Sequence, residues 1–310
     1  MPLSAESKIV LEHLASQNIP PLHSLPAAEG RAFFNATFKT QPTDQEPVTR
    51  IEEKVIRVDG GNIPARVYAP AGTAALPALV HFHGGGWVLM NLDSHDGICR
   101  QLSNRTGAVV VSVEYRKAPE FKAPIAAEDC YAALQWVVDN AAALGIDVNR
   151  IGVIGDSAGG NLAAAVTLLA RDRNGPKIKC QVLTYPAVDA TMSAPSIKEN
   201  ATAPLLGEGE MKWFWGHYLD GAKVTAKDTR VSPLFASSLA NLPPAFVSTA
   251  EYDPLRDEGE DYARKLHAAG VTVESKRYNS VFHGFALMGK IIPEGRQLLE
   301  AQTAFLAKYL

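Results

Sequence analysis

The chain has 310 residues, of which 46% are hydrophobic and 20% charged. That is the balance of one large or two small folded domains, and it excludes disorder, collagen-like repeats and coiled coil. The 30 basic and 33 acidic side chains leave a net charge of −3. The basic footprint of a DNA- or RNA-binding domain is missing, so no nucleic-acid partner is expected.

The first fifty residues read as a small helical appendage. Ile9, Val10, Leu11 and Leu14 recur at helical spacing, Pro20, Pro21 and Pro26 interrupt, and a second helical piece runs from about Arg31 to Phe38. Met1 to Pro20 carries Glu6 and Glu12 and no continuous apolar stretch, so no secretory leader is expected. No run approaches the ~18 apolar residues of a membrane span. The three cysteines, Cys99, Cys130 and Cys180, have no C-x-x-C spacing. They suggest neither a disulfide framework nor a zinc knuckle, and the expected location is the cytoplasm.

From Ile51 onward, β-type runs alternate with helical ones. Strands are predicted at Val55–Val58, Arg66–Tyr68, Ala78–His81, Val109–Val113, Ile151–Ile154, Lys179–Thr184, Ala245–Thr249 and Val273–Arg277. Helices are predicted at Ala123–Ala143, Gly159–Arg171, Arg256–Ala269 and Glu294–Tyr309. Continuous apolar strands with helices between them predict a mostly parallel sheet covered on both faces, with an antiparallel hairpin at one edge. Between Thr184 and Ala245 lies a stretch too long for a simple strand-to-helix connection. Its aromatic centre, Met211 to Leu219, suits either a lid over a pocket or a helix packed on the domain body.

Gly155-Asp156-Ser157-Ala158-Gly159 follows the strand Ile151–Ile154 and precedes an Ala- and Leu-rich helix. Gly-x-Ser-x-Gly at a strand-to-helix turn is the nucleophile elbow, whose flanking residues must be small and whose serine projects above the sheet. The helix aims its N-terminal amides at the same spot. Two phosphate-binding readings fail on their residues. Asn161-Leu162 stands where a Walker A loop needs Lys-Ser/Thr, and Gly152-Val153-Ile154-Gly155 is not a Gly-x-Gly opening. A second signal, His83-Gly84-Gly85-Gly86-Trp87, follows the strand Ala78–His81. Successive glycines bring backbone amides to a substrate without side chains in the way, as an oxyanion site requires, and Ala158 after the serine supplies another amide. His81 and His83 are two apart on a strand, but no third ligand of suitable spacing accompanies them, so no metal is expected.

A serine needs a base, and the base an orienting acid, in the chain order Ser, Asp or Glu, His. Of the downstream histidines, His217 sits in the aromatic insertion and His267 within a helical pattern. His283 follows a strand in the loop Asn279 to Phe285, where a base belongs. Asp253 and Glu251 compete as the acid after the strand Ala245–Thr249.

Five segments together carry a resemblance. They are His83-Gly84-Gly85-Gly86, Tyr115 to Glu120 (Tyr-Arg-Lys-Ala-Pro-Glu), Gly155 to Gly160, Asp253 to Gly259 (Asp-Pro-Leu-Arg-Asp-Glu-Gly) and Phe282-His283-Gly284-Phe285. In this order they resemble the hormone-sensitive-lipase-like (bacterial family IV) carboxylesterases of the α/β-hydrolase superfamily, from about Val55 to the C-terminus. The resemblance implies an eight-stranded, mostly parallel sheet with helices on both faces and a helical cap. It implies Ser157 as nucleophile, His283 as base and Asp253 as its acid, with Gly85, Gly86 and Ala158 as oxyanion donors. His83 and Gly84 support the glycine loop, and Asp156 and Glu120 hold neighbouring loops.

The cap would comprise residues 1–50 and 189–230, and the hydrolase core residues 51–188 and 231–310. Trp87, Trp213 and Phe214 are the expected substrate contacts. Lys117 and Lys122 depart from the family pattern outside these sets. The expected reaction is hydrolysis of short- to medium-chain carboxylic esters, with no cofactor, a small-molecule ester as substrate and a homodimer through the edge strand Val273–Arg277. An aryl-amide deacetylase would use the same residues. A small-molecule receptor on this fold would need no working base, yet His283 is present.

Overall fold

The computed structural model describes residues 2–17, 20–72 and 75–310. Met1, Asn18 and Ile19 of the expected N-terminal appendage lie outside the described residues. The eight predicted strands are all present: β1 (Arg50–Val58), β2 (Gly61–Ala69), β3 (Leu76–Phe82), β4 (Val109–Val113), β5 (Ile146–Asp156), β6 (Cys180–Thr184), β7 (Ala245–Tyr252) and β8 (Val273–Phe282). They form one sheet in the order β1-β2-β4-β3-β5-β6-β7-β8. β1 and β2 make the edge hairpin, β2 pairs antiparallel with β4, and β3 to β8 run parallel.

Alternate residues of the central strands feed two separate cores. Val80, Phe82, Val111 and Val153 point to one side, where α4 (Ile125–Asp139), α6 (Ala158–Asp172) and α9 (Arg256–Ala268) cover the sheet. Leu79, Val110, Ile154 and Val182 point to the other, against α3 (Asp96–Thr106) and α10 (Pro293–Leu306). Burial on both faces is why β4 reads as a valine run interrupted only at Ser112 rather than as an alternating pattern. The fold is the α/β-hydrolase architecture that the motifs imply.

Apart from a short turn that follows α4, the remaining helices belong to the N-terminal region and the long connection after β6. They are α1 (Ala5–Ser16), α2 (Ala27–Thr37), α7 (Pro195–Glu199) and α8 (Glu208–Leu219). α8 meets the 3-10 turn Leu22–Ser24, and His23 Nδ1 lies 2.6 Å from the Glu210 carboxylate. Trp213 Nε1 donates to the Leu25 carbonyl at 3.2 Å.

Several elements depart from expectation: β1 and β2 each start five residues early, β8 runs on to Phe282, and the short α7 lies outside the predicted helices. α3 was not predicted, because its sequence, DGICRQLSNRT, is mostly polar and shows only a thin apolar stripe. The helix predicted over Ala123–Ala143 begins at Ile125 and breaks at Asn140, whose side chain bonds back to the Trp136 carbonyl at 2.8 Å; the short α5 (Ala141–Leu144) follows. β5 starts five residues early, since Ile146 pairs with Leu76 ahead of a register shift.

At the β5–α6 junction the chain turns so sharply that Ser157 adopts φ 55°, ψ −119°, a strained conformation for a residue with a side chain. The turn closes because Gly159 lies against the end of β3. A Cβ on Gly159 would stand 1.9 Å from the Phe82 carbonyl oxygen, which is backbone and cannot swing aside. Gly159→Ala is therefore expected to destabilise the protein by about 3 kcal/mol, the upper end of overpacking costs. Gly216→Ala on α8 is the control: its Cβ would meet nothing nearer than 3.6 Å, so it should be neutral or stabilising by up to ~1 kcal/mol. Urea unfolding of the two variants checks both signs.

Candidate active site

The parallel register sets the site. Phe82 of β3 stands beside Gly155 of β5, so the glycine loop leaving β3 and the elbow leaving β5 emerge side by side. Two and three strands further along, β7 and β8 deliver Asp253 and His283 to the same end of the sheet. The four segments converge although they are far apart in sequence.

His283 Nδ1 donates to Asp253 Oδ2 at 2.7 Å, which leaves Nε2 as an acceptor, and the Ser157 hydroxyl lies 2.9 Å from it. Asp253 is fully buried and His283 is 9% exposed. The other Asp253 oxygen accepts the Leu255 amide at 2.8 Å, and Asn200 donates to the Asp253 carbonyl at 3.2 Å. The Tyr185 ring packs on the His283 imidazole with centroids 4.5 Å apart. Glu251, the competing acid, instead accepts the Ser280 amide at 2.7 Å. His217 packs against Trp213, and His267 sits on α9; neither reaches Ser157.

The glycine loop is held from below. Asp156 Oδ1 accepts the Gly84 amide at 3.0 Å and lies 3.0 Å from His95 Nε2. Burial raises the Asp156 carboxyl, but His95 beside it, together with His81 and His283 further off, holds the group below its usual range. His83 stacks on Tyr115 and its Nδ1 lies 2.6 Å from the Gly84 carbonyl. Burial pushes the His83 imidazole far down and that of His81 to about 3. Both rings are neutral supports, and His81 pairs with Ser112 at 3.0 Å. Gly85 (φ 108°) and Gly86 (φ 59°) occupy conformations that side chains rarely adopt, and a Cβ on Gly86 would strike the Phe214 ring at 2.0 Å. Ala158 begins α6, where the first amides have no partner within the helix.

An apolar cavity of about 70 Å³ is lined by Ser157, His283, Gly85, Gly86 and Ala158. Of the expected substrate contacts, Trp87 and Phe214 also line it; Trp87 is otherwise sandwiched with Trp215 and Tyr218. Trp213 does not line it, because its ring faces His217 and its indole is bonded to the N-terminal segment. The walls add residues that sequence reasoning missed, chiefly Phe34 of α2, Phe38 just beyond its end, Leu205, Met211 and Leu287. The spacing of Phe34 and Phe38 at i and i+4 was a readable signal. The support role of His95 had no such local mark. Lys122, one of the departures, donates to the His217 carbonyl at 2.7 Å in the last turn of α8, and Lys117 donates to the Met90 carbonyl at 2.8 Å.

Residues 79–287 match the family described as having the alpha/beta hydrolase fold. Carboxylesterase NlhH of Mycobacterium tuberculosis is 43% identical over 291 residues, covering 92% of this chain and 91% of that protein. An ethyl acetate hydrolase of Pseudomonas putida is 36% identical across 99% of this chain and 98% of its own length. Among solved structures, a hyperthermophilic esterase of the archaeon Pyrobaculum calidifontis superposes with a TM-score of 0.94 at 44% identity, covering 99% of both chains. The elbow, the glycine loop and these likenesses agree: the chain belongs to the hormone-sensitive-lipase-like carboxylesterases, the bacterial family IV branch of the α/β-hydrolases.

Proposed function

We propose that this protein hydrolyses short- to medium-chain carboxylic esters through an acyl-serine intermediate, with Ser157 as nucleophile, His283 as base and Asp253 as orienting acid. The observation that carries the reading is the unbroken hydrogen-bond chain from Asp253 through His283 to Ser157 on the floor of an apolar cavity. His283 takes the Ser157 proton as the oxygen attacks the ester carbonyl. The tetrahedral oxyanion is held by the amides of Gly85, Gly86 and Ala158. Protonated His283 then gives its proton to the leaving alcohol, and water repeats the sequence to release the acid. Asp253 keeps Nδ1 protonated, so Nε2 faces the serine in the accepting tautomer.

The small volume and apolar walls of the cavity support small, soluble esters as substrates. Residues 1–50 and 189–230 form the cap in this reading. Its second segment begins where Glu258 accepts the Val188 and Asp189 amides, at 2.7 and 3.1 Å, and ends where Asn161 donates to the Val231 carbonyl at 2.7 Å. β8 lies at the sheet edge, where a second copy would pair in the homodimer. Among the described residues no helix is long and apolar enough to cross a membrane. The three cysteines are free and buried, in keeping with a reducing compartment such as the cytoplasm.

Hydrolysis of chromogenic esters from acetyl to palmitoyl tests the reaction. Activity should peak at short acyl chains and vanish in Ser157→Ala; a folded wild-type protein that cleaves none of them overturns the reading. Asp253→Asn should lower kcat by about 10⁴ through the wrong imidazole tautomer. Retention of most activity in that variant would hand the orienting role to another carboxylate.

A further inference from the structure

α2 touches the cavity through side chains of one face. Phe34 and Phe38 line it, and Arg31, three residues before Phe34, shares their side of the helix. Arg31 reaches past the cavity into the core loops. Its Nε donates to the Val88 carbonyl at 2.6 Å, its Nη1 to Glu120 Oε1 at 2.7 Å, and its Nη2 to both Glu120 Oε2 and the Ala118 carbonyl. Both carbonyls belong to the surroundings of the glycine loop. The Val88 and Leu89 amides close on the Gly85 carbonyl at 3.1 and 2.8 Å, and the Ala118 amide donates to the Trp87 carbonyl at 2.9 Å. One planar guanidinium therefore bonds the two segments that shape the loop, a pattern that a lysine cannot reproduce. The pairing also holds the Glu120 carboxyl below its usual range.

The rest of α2 is secured differently. Gly30 seats it closely, since a Cβ there would lie 3.0 Å from Leu22 and 3.5 Å from Leu89. Beyond its C-terminus the Thr40 amide donates to the Asp93 carbonyl at 3.0 Å, and the Thr40 hydroxyl accepts the Gly97 amide at 3.0 Å. Without Arg31 the helix keeps its far anchor and loses the polar one beside Phe34. The glycine loop, by contrast, retains supports that do not involve Arg31, namely the Gly84 bond to Asp156 and the turn onto Gly85.

We propose that Arg31 is a specificity-determining positioning residue. It fixes the Phe34 and Phe38 wall relative to the glycine loop and so sets the acyl length that the cavity accepts. The inference rests on the esterase reading above.

The test compares wild type, Arg31→Ala, Arg31→Lys, Phe34→Ala and the Arg31→Ala/Phe34→Ala double variant on esters from acetyl to decanoyl. Arg31→Ala should raise the octanoyl-to-acetyl ratio of kcat/KM by about tenfold, the scale at which pocket fit discriminates. Its kcat on the acetyl ester should stay within about threefold of wild type, because the loop keeps its own supports. Phe34→Ala should shift the profile the same way, and the double variant no further than the larger single shift, since both act on one wall. Arg31→Lys should fall between wild type and Arg31→Ala. An unchanged acyl profile in folded Arg31→Ala, or additive shifts in the double variant, overturns the proposal. Should Arg31→Ala fail to fold, Glu120→Gln removes the ion pair and leaves the two carbonyl bonds. It should show the same shift at smaller amplitude, and an unchanged profile there overturns the proposal as well. Wild-type protein that cleaves no ester would instead defeat the esterase reading, whatever the variants do.

Discussion

The contact of Gly159 with the backbone of Phe82 is the constraint on which the rest of the site depends. It lets α6 begin directly against the end of β3, and that closeness forces Ser157 into its strained turn. Because β3 and β5 are neighbours, the same contact puts the glycine loop beside the serine. A bulkier residue at position 159 would collide with the Phe82 backbone and shift the glycine loop, with its amide donors, away from the hydroxyl. Strain at one residue is sustained by the packing of a whole sheet around it.

Around that contact, polar groups without solvent are arranged so that few are left to adjust. Asp156 stays a carboxylate because His95 and the Gly84 amide surround it, while His81 and His83 stay neutral because burial gives them no alternative. Glu258, buried on α9, is pushed the opposite way: desolvation raises its carboxyl well above the usual range, against the pull of the two amides it accepts. The two carboxyls are thus shifted in opposite directions, since histidines stand beside Asp156 whereas Asp189 and Asp253 stand near Glu258. Donors fixed in this way need no reorganisation when negative charge develops on a substrate oxygen.

Much of this was legible in the residues. The elbow, the glycine loop and the Phe282-His283-Gly284-Phe285 turn each carry their chemistry in a short run, and short runs are what a sequence displays. The choice between Asp253 and Glu251 was open from spacing alone; both sit near the end of β7, and only the direction each side chain takes separates them. His95 and Arg31 were illegible for a related reason. Each acts across the fold on a loop 11 or more positions away, through a bond that no local pattern encodes. Trp213 shows the converse: an aromatic run marks a helix that buries itself, but not which ring turns to the cavity and which to the neighbouring segment.

Within one chain, among the described residues, β8 is paired on one side only, with β7, and it carries His283 at its end. Ser157 and the glycine loop, by contrast, hang from strands flanked on both sides. Edge ladders are the first to open in local fluctuations. Within a single chain the imidazole is therefore tied to the sheet through one ladder, backed by the Ser4 amide and the Ser7 hydroxyl on the Ser280 carbonyl, and fraying of that strand disconnects it while the elbow stays built. Loss of turnover on mild heating or in dilute denaturant would then run ahead of global unfolding, so residual activity gauges the integrity of the sheet's margin more than that of its centre.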